Sequence, residues 1–236
     1  MSATASTRAQ ATAQDAGSKV AVGQLERWTS LAGIIFVVLM VSGTYLVADV
    51  PDADAPRQEI ADYLADSDNH TRNLIGAYVW VLGALLFLCF VARLRSVLRA
   101  AEGGTGILSN IVFGAGVIYS ALMIASAVAF GAVAYAIGLR DATVSEVDLV
   151  RVLPQMAWMV LLFGAGFAGI VLVLGACIVS FQTGVLPRWL AWLGVVMAIL
   201  LLFDVIYVNI VPLLVWVLAA SIVLLMRREA TPTPMP

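Results

Sequence analysis

"RWLAWLGVVMAILLLFDVIYVNIVPLLVWVLAASIVLLMRR", residues 188–228, begins and ends on arginine and holds one carboxylate between, Asp204. A hydrocarbon core about 30 Å thick takes about 20 helical residues to cross. The stretch is therefore long enough for two crossings and a turn. Both arginine borders then lie on one side of a membrane, and the turn falls near Tyr207 and Val208, midway between them. Asn209 suits an N-cap, and Pro212 is tolerated in the first turn of the second leg. On this reading Asp204 lies about one helical turn, roughly 5 Å, below the far surface. A carboxylate at the bilayer centre costs about 2.5–3.5 kcal/mol, but near the surface it can reach the interface or bond within the hairpin. Tyr207, three residues on, shares its helix face. Asp204 with Tyr207 is thus the candidate intramembrane polar site.

The rest of the 236 residues follows the same pattern. Hydrophobic residues make up 62% and charged residues 12%; an ordinary soluble domain carries about 25% charge. Apolar runs bounded by charge predict an all-α, polytopic bundle of six transmembrane helices at about 28–48, 74–93, 107–138, 154–181, 188–206 and 209–226. Pro154 suits the first turn of the fourth helix. Strands of a membrane barrel would alternate polar and apolar residues, and no such alternation occurs. Residues 1–27, rich in Ala, Thr, Ser and Gln, lack a signal-type apolar core and read as a disordered tail. The six-helix domain covers 28–228, and 229–236 forms a second tail.

Arginine and lysine set the orientation. Nine of them (Arg8, Lys19, Arg27, Arg93, Arg95, Arg99, Arg188, Arg227 and Arg228) fall on one side, and four (Arg57, Arg72, Arg140 and Arg151) on the other. The positive-inside rule makes the first side, with both termini, cytoplasmic. Trp28, Trp189 and Trp192 then anchor the inner interface and Trp158 the outer one.

The outer loop, 49–73, is acidic. Within it Ile60, Tyr63 and Leu64 fall at helical spacing after Pro56, which predicts a short amphipathic helix at the membrane surface or over the bundle mouth. Its acids lack the spacing of a calcium loop, so they read as a solvated face. His70 reads as an exposed loop histidine. The inner loop "RLRSVLRAAEGGTGIL" lacks the Lys-Ser/Thr ending of a phosphate cradle and reads as a flexible hairpin, with Arg93, Arg95 and Arg99 at lipid headgroups. Small residues recur through the spans, at Gly76 and Gly83, Ala127 and Gly131, Gly164 with Ala168, and Ala165 with Gly169. They predict closely packed helices and leave self-association open. Cys89 and Cys177 read as small apolar residues. One histidine cannot build a His/Cys metal cluster, and no nucleophile–base pair or cofactor ligand set can be assembled.

The succession "EIADYLADSDNHTRN", "LRSVLRAAEGGTGIL", "TGVLPRWLAWLGVVMAILLL" and "LLMRRE" resembles a group of uncharacterised six-span membrane proteins of actinobacteria. The likeness runs over about residues 28–228 and is sharpest at the Leu-Pro-Arg-Trp-Leu-x-Trp-Leu-Gly motif of 186–194. It implies a multi-pass protein of a bacterial plasma membrane and no particular activity. Together these readings favour a non-enzymatic, partner-binding or envelope-associated component, without catalytic residues, cofactor or metal. Its partners would be the bilayer and a second copy or another membrane protein; nothing points to nucleic acid. The alternative is a small-solute or ion transporter using Asp204, with Tyr207, Ser120 and Ser126 as pore-facing polar groups.

Overall fold

The computed structural model describes residues 28–29, 31–47, 51, 55–140, 147–203 and 210–226. The two tails, Asp204, Tyr207 and Asn209 lie outside the described residues. The described chain is helical and contains no strand: α1 (Leu31–Val47), α2 (Arg57–Ala65), α3 (Ser67–Glu102), α4 (Ile107–Arg140), α5 (Val147–Met159), a π-helical turn (Val160–Ala165), α6 (Gly166–Thr183), α7 (Arg188–Phe203) and α8 (Val211–Met226). Three helices are long and apolar enough to cross a membrane: Ser67–Glu102, Ile107–Ile137 and Val152–Thr183. The last contains the π turn. Helices α1, α7 and α8 are shorter and also apolar.

Several expected boundaries move. Helix α3 starts at Ser67 instead of near 74 and continues to Glu102 instead of ending near 93, so its 36 residues extend about 54 Å. Change of polarity marks where a helix leaves the apolar layer, whereas the helix itself ends at its caps. Those are the Asp66 carboxylate, which accepts the Asp68 N–H at 2.9 Å, and Gly103, whose N–H donates to the Arg99 carbonyl at 3.2 Å. Residues 67–73 and 94–102 therefore belong to a helix, not to loops. Pro154 is likewise not in a first turn: α5 begins seven residues earlier, at Val147. An interior proline forfeits the N–H that would bond four residues back and crowds the carbonyl there, a cost that packed neighbours in a membrane bundle can absorb.

The apolar helices run antiparallel in succession, and glycines set the register. A Cβ on Gly131 would lie 3.1 Å from Ala77 Cβ, and one on Gly116 would lie 2.7 Å from Val91 Cγ2, which fixes α4 against α3. Gly164 faces Leu122 and Gly175 faces Val112, laying α5–α6 against α4. Gly194 of α7 abuts Val173 of α6 and Trp216 of α8. Gly33 of α1 abuts Ser221 of α8 and Phe90 of α3, linking the last helix to the first. Gly131 and Gly164, two of the small residues singled out in the sequence, thus each meet a neighbouring helix of the same chain.

Large side chains fill the interior. Phe36, Phe87, Phe90 and Tyr119 form a chain of ring contacts, with Phe87 4.8 Å from Phe36 and 4.9 Å from Tyr119. Trp80, Phe130 and Trp158 form a second cluster, each pair edge-to-face at 5.2–6.2 Å. Trp158 is half-buried, with its ring against Trp80 and Phe130, whereas Trp28, Trp189 and Trp192 are exposed. No Asp, Glu, Lys or Arg is buried among the described residues, while Val41, Leu82, Ile199 and Leu202 stand exposed on the outside. An apolar exterior around an uncharged core is the surface that hydrocarbon solvates and water does not.

Candidate functional site

Of the polar groups expected to line a path, Asp204 and Tyr207 lie outside the described residues, and the two serines bond to backbone carbonyls. Ser120 Oγ donates to the Gly116 carbonyl at 3.0 Å, and Ser126 Oγ donates across helices to the Ala157 carbonyl at 2.9 Å; both are buried. The second bond ties α4 to α5 one turn before the π segment. Beside that segment, Tyr119, Leu161, Leu201, Ile210 and Leu213 enclose a cavity of about 10 Å³, room for about one water.

At the α2 end the chain is organised more tightly than an acidic loop requires. Ile60 is 1% exposed and carries α2 onto α3 and α5. Tyr63 accepts at its carbonyl from Asn69 Nδ2 (3.4 Å) and at its hydroxyl from Asn73 Nδ2 (3.5 Å). The amphipathic helix expected from Ile60 and Tyr63 is thus present and docked. His70 corrects the exposed-loop reading: it is 7% exposed. Because α3 already starts at Ser67, His70, Asn73, Ala77 and Trp80 recur at 3, 4 and 3 and share its inward face. His70 Nε2 and Asn73 Oδ1 are buried without a hydrogen-bond partner. The opposite faces present Glu59, Asp62, Asp66 and Asp68 to the outside. Among the described residues no three His, Cys, Asp or Glu side chains are placed to share a metal ion.

At the other end of α3 the expected flexible hairpin is a capped turn. Gly103, Gly104 and Gly106 have φ of 64°, 50° and 63°, a left-handed run that only glycine adopts readily. The Glu102 carboxylate accepts the Leu108 and Ser109 N–H groups at 2.9 Å each, closing the start of α4. Arg95 holds the turn from the α3 side: Nη2 and Nε donate to Asn110 Oδ1 at 2.8 and 3.2 Å, and its guanidinium lies 5.0 Å from the Phe113 ring centre.

Glu102 lies beyond the apolar part of α3, and its carboxyl is held below the usual carboxylate range. The Ser109 N–H is the main cause, and the Leu108 N–H and the Arg99 charge add to it, while desolvation opposes them. A folded pKa below the unfolded one gives stabilisation that is complete above the ordinary glutamate value of about 4.3 and is lost as pH falls through the lower folded value. Glu102→Gln is therefore expected to speed hydrogen exchange of the Leu108 and Ser109 amides at neutral pH. It should also abolish the loss of protection, relative to intrinsic exchange, expected of these two amides in the native chain as pH falls through the lowered Glu102 value.

No family model, curated protein or solved structure matches the sequence. The class is defined by the chain's own features: an all-helical bundle in which three helices can cross a membrane. Sequence reasoning missed Asn73, Trp80 and Glu102. The 70–73–77–80 spacing was a signal for the first two; nothing local marks Glu102, whose partners follow a turn.

Proposed function

We propose that the chain is a six-span protein of a bacterial plasma membrane, of the actinobacterial kind that its Leu-Pro-Arg-Trp-Leu-x-Trp-Leu-Gly motif resembles, and that it binds a partner without performing catalysis. The spans are α1, α3, α4, α5–α6, α7 and α8, with both termini cytoplasmic by the arginine bias and α2 outside. The observation that carries the partner-binding reading is the docking of α2: Ile60 is buried while Glu59 and Asp62 on the same helix stay exposed. With Asp66 and Asp68 they form a fixed acidic surface suited to a basic segment of another envelope or membrane protein. The transport reading draws less support, because Ser120 and Ser126 bond to backbone carbonyls.

Crosslinking in native membranes followed by co-purification of the full chain tests the proposal. A discrete partner is expected with the native chain and should be lost with the Glu59→Lys/Asp62→Lys variant. Recovery of no stable partner, or of the same partner by the reversed variant, would overturn it. In reconstituted vesicles, ion or solute flux that Asp204→Asn abolishes would replace partner binding with transport; the expected result is that Asp204→Asn changes nothing.

A further inference from the structure

Between α3 and α4, in the half of the pair nearer α2, lies an open groove of about 380 Å³ with no charged residue in its lining. Its origin is the close crossing at Ala77 and Gly131, only 3.1 Å apart were Gly131 given a Cβ. With Ala132 beside them, these residues are too short to fill the flank of the crossing, and Tyr78, Val128 and Tyr135 stand up around the dent. The groove opens sideways, not toward the bundle interior: Tyr78 is 68% and Val128 63% exposed. It continues directly into the exposed apolar face formed by Leu82 and Leu85 one to two turns along α3.

We infer that this groove is a binding site for one acyl chain of a phospholipid from the leaflet on the α2 side. The inference rests on the membrane-spanning reading and adds a defined lipid site to it. Size selects the occupant. From Ala127 to Tyr135 the groove follows α4 for about 12 Å, so 380 Å³ corresponds to a cross-section of about 30 Å². A helix with side chains, about 10–12 Å across, needs about 80–110 Å² and does not fit. An extended hydrocarbon chain, with neighbours about 4 Å from its carbons, needs roughly 20 Å² and does. The volume lies near the lower end of the range for small-ligand sites, about 300–1,000 Å³. Tyr135, five residues before Arg140 at the end of α4, stands toward the membrane surface, where the chain would join its headgroup. A second copy could cover the mouth but could not insert a helix.

The test uses the full chain in vesicles of a phospholipid carrying a photoactivatable diazirine in mid-chain, with adducts mapped by mass spectrometry. Adducts are expected at Tyr78, Val128 and Tyr135 severalfold above those at Leu202 and Ile199, which are comparably exposed on α7. Ala132→Leu, which fills the groove, should reduce the groove adducts severalfold and leave Leu202 unchanged. Val81→Ala, which widens it, should retain or raise them, so the site stays testable if the leucine variant misfolds. Adducts distributed in proportion to exposure, or unaffected by Ala132→Leu, would overturn the site and mean ordinary lipid solvation. Absence of adducts on every apolar face, α7 included, would overturn the membrane reading itself.

Discussion

Gly43→Val and Gly76→Val are each expected to lower the stability of the bundle by about 3 kcal/mol, the upper part of the overpacking range, whereas Gly83→Ala is expected to be neutral or stabilising. A Cβ on Gly76 would lie 2.6 Å from Val47 Cγ2, 3.2 Å from Leu46 Cβ and 3.3 Å from the Gly43 carbonyl oxygen. A Cβ on Gly43 would run into the Trp80 indole and lie 3.3 Å from the Gly76 carbonyl oxygen. Backbone and a fully buried ring cannot step aside, so α1 must separate from α3. At Gly83 the nearest atoms, Leu39 Cβ and Met123 Cε, would be 3.6 Å away, ordinary contact. Alanine there gains up to about 1 kcal/mol of helix propensity. Because Gly43 and Gly76 face one another at the same crossing, the double variant should cost less than the sum of the two. Unfolding of the purified protein in mixed micelles of increasing denaturing detergent measures all four. Equal losses at Gly76 and Gly83 would contradict this crossing.

The contrast between those glycines marks what the sequence could and could not convey. Gly76 and Gly83 look alike in a list of small residues, yet one touches backbone and the other has room; only the partner helix distinguishes them. The apolar runs were legible because arginines and acids bracket them, and three of the runs are indeed helices long enough to cross a membrane. The true ends of α3 were not legible, since Ser67–Asn73 and Leu94–Glu102 keep helical geometry after leaving the apolar stretch. That one misplaced boundary also put His70 in a loop, when an earlier helix start carries it inward beside Asn73. Ile60 and Tyr63 announced α2 by spacing alone. Glu102 and the α3–α4 groove depend on residues meeting across a turn or a crossing, which periodicity does not encode. Asp204 and Tyr207, the site the sequence put first, lie outside the described residues, so the case for them remains the depth argument from Arg188 and Arg227.

Trp80→Ala is expected to cost about 3 kcal/mol and Trp80→Phe about 1 kcal/mol or less, and the difference tests what holds such a core together. Trp80 is 0% exposed, edge-to-face with Phe130 at 5.3 Å and with Trp158 at 6.2 Å, and its ring edge lies against Gly43. In water, truncating a buried Trp costs about 3–5 kcal/mol through lost transfer energy and the cavity left behind. Between membrane helices the transfer part is small, because lipid tails are as apolar as the core. The cost then comes from lost ring contacts and the void, which places it at the lower end. Phenylalanine keeps a ring against Phe130 and removes an indole N–H that is buried without a partner, a group whose burial itself costs about 1–3 kcal/mol. The two changes offset. A Trp80/Phe130 double-mutant cycle should give a coupling of about 0.5–1.5 kcal/mol. If Trp80→Phe costs as much as Trp80→Ala, the indole N–H has a partner, and packing alone does not account for this tryptophan.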